Sequence, residues 1–124
     1  MAFTPLSIAS QIGDVQDVLT LLEAGADINA CNHIGWTPLS MAAGNGHDRV
    51  VKALIEAGVD IDKTDTLGWT PLLKAIEYGH DTTVHILIEA GADINMASYS
   101  GWTPLLLATT KGYETIRQML IEVK

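Results

Sequence analysis

Cysteine is nearly missing from this chain: Cys31 stands alone, so no internal disulfide forms and no cysteine-based metal site is possible. Basic residues are scarce as well. Seven Lys and Arg face fifteen Asp and Glu, for a formal net charge of −8. The seven (Arg49, Lys52, Lys63, Lys74, Lys111, Arg117, Lys124) are spread thinly, whereas nucleic acid is held mainly by clustered cations that neutralise phosphates. DNA and RNA are therefore not expected partners, and the acidity reads as a solubility feature. No apolar run approaches the ~20 residues of a membrane span, and no basic stretch followed by an apolar core opens the chain. Neither export nor membrane binding is indicated, and a reducing, cytoplasmic compartment is expected.

What is present is enough for a core. Hydrophobic residues make up 48% and charged residues 18% of 124 positions, which excludes a disordered chain and suits one domain. Above all, the sequence repeats itself. Thr-Pro-Leu begins at Thr4, Thr37, Thr70 and Thr103, each step being 33 residues. Gly13, Gly46, Gly79 and Gly112 follow at one spacing, then the pairs Leu21-Leu22, Leu54-Ile55, Leu87-Ile88 and Leu120-Ile121. Three copies close on Gly25-Ala26-Asp27-Ile28-Asn29, Gly58-Val59-Asp60-Ile61-Asp62 and Gly91-Ala92-Asp93-Ile94-Asn95.

Each unit reads as two short antiparallel helices and a turn-bearing extension. Thr caps the first helix and Pro takes its first position, where a missing N–H costs nothing. Gly46 and its equivalents end that helix in a left-handed conformation. Asp48, Asp81 and Glu114 then open the second helix, where acids suit the positive end of the dipole, and Gly25, Gly58 and Gly91 stop it. Helices of about ten residues are marginal alone, so neighbouring units must bury each other's apolar faces in an elongated stack.

These residues closely resemble the ankyrin repeat, whose pattern runs from a glycine through Thr-Pro-Leu-His, two alanines and Gly-His to Gly-Ala-Asp-x-Asn. The resemblance spans essentially the whole chain. It implies an all-α ankyrin-repeat solenoid of four helix-turn-helix units with short β-hairpin-like fingers, divided at approximately 1–31, 32–64, 65–97 and 98–124. The family's His after Thr-Pro-Leu is replaced by Ser7, Ser40, Leu73 and Leu106; serine retains part of its hydrogen bonding and leucine none. Gly-His survives at Gly46-His47 and Gly79-His80, with Asp14 and Tyr113 at the other two places. Asp17 stands where other copies have Val50, Thr83 and Ile116, and Arg117 where they have Val18, Val51 and Val84. The first and last units are accordingly expected to act as caps. The last helix stops at Lys124 without a closing motif, so completeness is expected at that end; before Phe3 the first unit lacks a finger.

Catalytic chemistry finds no footing. His47 and His80 share one repeat position, roughly 10 Å apart if neighbouring helices carry them, too far for ligands of one metal bound at about 2 Å. They read as turn residues opening the second helix; His33 lies on a finger and His85 on a second helix. Asp27, Asp60 and Asp93 read as turn-fixing residues. Asp60, Asp62 and Asp65 gather around Lys63 without a calcium-loop spacing. No HExxH, phosphate-loop or nucleophile-elbow pattern occurs, and no cofactor, metal or catalytic residue is assigned.

Positions that differ between copies point instead to a partner. The finger tips read Asn32-His33-Ile34, Asp65-Thr66-Leu67 and Ser98-Tyr99-Ser100, and an aromatic precedes each Thr at Phe3, Trp36, Trp69 and Trp102. The ends of the first helices vary too: Gln11-Ile12, Gly44-Asn45, Glu77-Tyr78 and Thr110-Lys111. In the ankyrin family, fingers and first helices line the concave groove. The resemblance therefore assigns partner contact to His33, Ile34, Trp36, Asn45, Thr66, Leu67, Trp69, Glu77, Tyr78, Tyr99, Ser100, Trp102 and Lys111. The tryptophans admit two readings, partner anchors or packing of their own fingers. Lys74 and Glu77 read as solvated edge charges. The expectation is a non-catalytic, monomeric module that binds one protein through a concave aromatic face flanked by acids, favouring a neutral or basic partner. A self-associating scaffold and a small-molecule or engineered binder are the alternatives.

Overall fold

The structure, a computed structural model, describes residues 4–123; Phe3 and Lys124 lie outside the described residues. Among the described residues eight helices follow one another: α1 (Pro5–Ile12), α2 (Val15–Glu23), α3 (Pro38–Gly44), α4 (Asp48–Glu56), α5 (Pro71–Glu77), α6 (Asp81–Glu89), α7 (Pro104–Lys111) and α8 (Glu114–Glu122). Each is a little shorter than the ten residues expected. The odd-numbered helices pack in one row, α1 on α3, α3 on α5 and α5 on α7, and the even-numbered ones in a second row. Within each repeat the two helices pack on one another, giving an all-α solenoid two helices thick.

The first helices start as their residues dictate. Oγ1 of Thr4, Thr37, Thr70 and Thr103 accepts the backbone N–H three residues on, each at 3.1 Å. Such a cap contributes about 1 kcal/mol. Ser40 answers it, its Oγ accepting the Thr37 N–H at 2.9 Å, which completes a capping box. Leu73 makes no such bond and is fully buried in the stack instead. Pro leads every first helix.

Burial separates positions facing the previous repeat from those facing the next. Val18, Val51 and Val84 are fully buried, as are Val50, Thr83 and Ile116 to within 1%. Asp17 is exposed in the latter slot, and Arg117 is half-buried in the former, 3.1 Å from Glu114. The last repeat also leaves apolar surface open: Leu105 is 43% exposed, where Leu6, Leu39 and Leu72 are at most 1% exposed.

The fingers differ from the hairpins the resemblance implies. No strand is present among the described residues. Each finger is a tight turn closed by two backbone bonds, such as Asp65 N–H to Trp69 O and Gly68 N–H to Asp65 O, both 3.0 Å. Neighbouring fingers are joined by a single bond, Thr66 to Ile34 at 3.1 Å and Tyr99 to Leu67 at 3.0 Å, too few for a ladder. A side chain holds each turn. Asn32 Oδ1 accepts from the N–H groups of Ile34 and Trp36, Asp65 Oδ1 from those of Leu67 and Trp69, and Ser98 Oγ from that of Trp102. All three are buried. The first tip residue is thus framework, although the three tips look wholly variable in sequence.

Candidate partner-binding face

The histidines and aspartates belong to the stack. His47 and His80 sit at the N-caps of α4 and α6 and reach back across the repeat boundary: Nε2 of each lies 2.9 Å from a main-chain oxygen, of Gln11 and Gly44 respectively. Tyr113 takes the same place in the last repeat, its ring over Gly79. Asp27, Asp60 and Asp93 each accept the N–H two residues on. Asn29 and Asp62 go further and accept the N–H of Asp60 and Asp93 in the next repeat, at 2.9 and 3.0 Å. Asp65 is committed to its finger, and no group of three or more His, Cys, Asp or Glu converges on a metal position among the described residues. Cys31 is exposed, and so is His85, on the face opposite the fingers.

The thirteen candidate contact residues fall into two sets. His33, Asn45, Thr66, Leu67, Tyr78, Tyr99, Ser100 and Lys111 are exposed, with Leu67 at 65%, Tyr78 at 62% and Tyr99 at 77%. Those three fractions matter because such large apolar side chains normally gain by burial. Ile34, Trp36, Trp69, Glu77 and Trp102 are half-buried. Trp69 and Trp102 pack against the hydrophobic core, so their bodies support the fingers while their edges remain accessible. Trp36 has a different neighbour: Lys74 Nζ lies 4.5 Å from its ring centroid. Tyr99, though exposed, lays its ring across Gly68 of the preceding finger.

The charges on this face are not edge charges. Lys74 is largely buried, its Nζ 3.8 Å from Asp65 Oδ2 and over Trp36. Glu77 pairs with Lys111 of the next repeat at 2.9 Å. Its hydrogen bond holds the Lys111 ammonium pKa above the ordinary value, against a smaller opposing effect of desolvation. On the last helix, the Gln118 side-chain amide and then Arg117 lower the Glu114 carboxyl. Of the fifteen acids, only Asp65 and Glu77 lie on fingers or first helices, and each faces a lysine. The remaining acids stand on the second helices and closing turns. The expected acidic flank therefore gives way to a face balanced in charge, while the excess negative charge lies elsewhere.

A cavity of about 590 Å³ opens on this face where α1, α3, α5 and the first finger meet. Gln11, Trp36, Ser40, Met41, Gly44, Asn45, Lys74, Tyr78 and His80 line it. It brings together Trp36, Asn45 and Tyr78 from the candidate set and leaves the others outside. Gln11, Met41 and Gly44 were not singled out as contact residues; the variation of Gln11 and Gly44 between copies was the available signal.

Two rows of short helices in register, tied by side chains repeating every 33 residues, define a helical repeat solenoid. A family model for ankyrin repeats, in three copies, matches residues 6–98 and 57–124, and the chain belongs to that family. Ankyrin repeats are in general non-catalytic modules of protein–protein interaction. No curated protein matches the chain.

Proposed function

We propose that this protein binds one partner protein through the face formed by its fingers and first helices, and that it does so without catalysis, as a cytoplasmic monomer. The observation that carries this reading is the exposure of Leu67, Tyr78 and Tyr99 on that face, beside a cavity walled by Trp36. Large apolar and aromatic side chains left in water gain most from a protein surface laid over them.

The test compares three folded forms in capture from cell extract: wild type, a triple variant (Leu67→Ser, Tyr78→Ser, Tyr99→Ser), and an opposite-face triple variant (Lys52→Ser, His85→Ser, Gln118→Ser). Loss of the captured protein only in the first variant supports the reading. Loss only in the second contradicts it. Self-association is separable by light scattering: a mass that rises with concentration replaces the partner by a second copy.

A further inference from the structure

Gly44 is unlike the other turn-forming glycines. It closes α3 with no positive φ, so its backbone does not require glycine, and a Cβ there would find only ordinary contacts, the nearest being Lys74 Cβ at 3.8 Å. Glycine in a helix costs roughly 0.5–1 kcal/mol relative to alanine. The equivalent positions hold Gln11, Glu77 and Thr110, all longer. Gly44 therefore leaves space, and that space is part of the cavity described above.

The lining of the cavity has a definite sign. No acid contributes to it, and its one permanent cation is Lys74. Asp65 Oδ2 is 3.8 Å from Nζ, beyond hydrogen-bond length, and Oδ1 already accepts two finger N–H groups. The ammonium of Lys74 thus has no hydrogen-bonded acceptor among the described residues. Its seat over Trp36 also fills the place a partner's cation would take, and a second cation there would meet a like charge. In the next repeat Glu77, the counterpart of Gly44, carries a carboxylate that pairs with Lys111, which stands at the position of Tyr78 rather than of Lys74. Exposed acids on the outer row of helices, a layer roughly 10 Å away, are screened over a Debye length of about 8 Å at physiological salt.

Resting on the reading of this face as the partner surface, we infer that the cavity over Gly44 receives an Asp or Glu side chain of the partner polypeptide, its carboxylate accepting hydrogen bonds from Lys74. Neighbouring apolar residues of the partner pack on Trp36, Met41 and Tyr78. Gly44 provides the room and Lys74 the selectivity.

A randomised peptide library displayed on phage and selected on the intact protein supplies the probe. Synthetic versions of the selected peptides are then titrated against wild type, Lys74→Gln, Gly44→Glu and Tyr78→Ser, with melting curves for each. Selected peptides are expected to share an acidic residue beside apolar ones. Changing that acid to its amide should weaken binding to wild type about tenfold or more, and to Lys74→Gln hardly at all. Gly44→Glu, which tethers a carboxylate beside Lys74, should abolish binding without lowering the melting temperature. Peptides that need Tyr78 but show no dependence on an acid or on Lys74, or a selection returning no Lys74-dependent peptide, overturn the carboxylate site and leave the binding face standing. Peptides indifferent to Tyr78→Ser as well overturn both.

Discussion

His80 Nε2 lies 2.9 Å from the main-chain oxygen of Gly44, and its ring covers Gly46 two residues further along the same chain segment. A carbonyl oxygen only accepts, so Nε2 carries the proton. The bond joins two repeats whose second helices are also tied by the Thr83 hydroxyl donating to Asp48, and His47 repeats it one unit earlier with Gln11. His80→Ala should cost about 1 kcal/mol for the bond, lowering the melting temperature by roughly 4 °C. Tyr113→Phe in the corresponding slot should change it little, because the Tyr113 hydroxyl makes no hydrogen bond among the described residues. Thermal melts of both variants check the contrast.

Two glycines separated by one residue should respond in opposite directions. Gly46 has φ +70°, and a Cβ on it would lie 2.7 Å from His80 Nδ1. Gly46→Ala is therefore expected to destabilise by about 1–3 kcal/mol, through backbone strain and displacement of the imidazole. Gly44→Ala should be neutral or stabilise by up to about 1 kcal/mol, since its backbone is helical and its surroundings are open. Chemical denaturation of the pair measures both signs.

The aromatic positions should divide by what lies beneath them. Trp69 is packed on the core, and Trp69→Ala is expected to cost about 2–3 kcal/mol, somewhat below a fully buried tryptophan. Leu67→Ala, two residues earlier on the same finger and largely in water, should stay within about 0.5 kcal/mol. Equal losses at the two sites would show that the finger's packing is misassigned.

Lys111 offers a direct electrostatic check. Its pKa is raised, chiefly by the Glu77 hydrogen bond. The pair's contribution to stability is thus complete below the unfolded-state lysine value of about 10.4, and lost as pH rises through the higher folded value. Side-chain NMR titration should show the Lys111 midpoint falling in Glu77→Gln relative to wild type.

Much of the fold is written in single repeats. Thr37 capping Ser40, Pro38 opening α3 and Gly46 ending it are local events, each decided within a few residues, so spacing alone reveals them. What spacing conceals is the contact between repeats. His47 meets Gln11 across 36 residues, and Lys74 reaches Asp65 and Trp36 on two different fingers, so neither relation follows from local pattern. The tips show the same limit from the other side: Asn32, Asp65 and Ser98 share no chemistry beyond an acceptor oxygen, and only the bonds they receive identify them as framework. Gly44 is one of eleven glycines in the sequence, and only its helical backbone separates it from those that shape turns.

The most direct measurement is amide chemical-shift mapping of the labelled protein as the captured partner is added. Perturbations should concentrate at the finger tips, residues 33–36, 66–69 and 99–102, and at Gly44, Asn45 and Tyr78 at the ends of the first helices. Perturbations confined to α4, α6 and α8, with the fingers silent, would contradict the assignment of the working face.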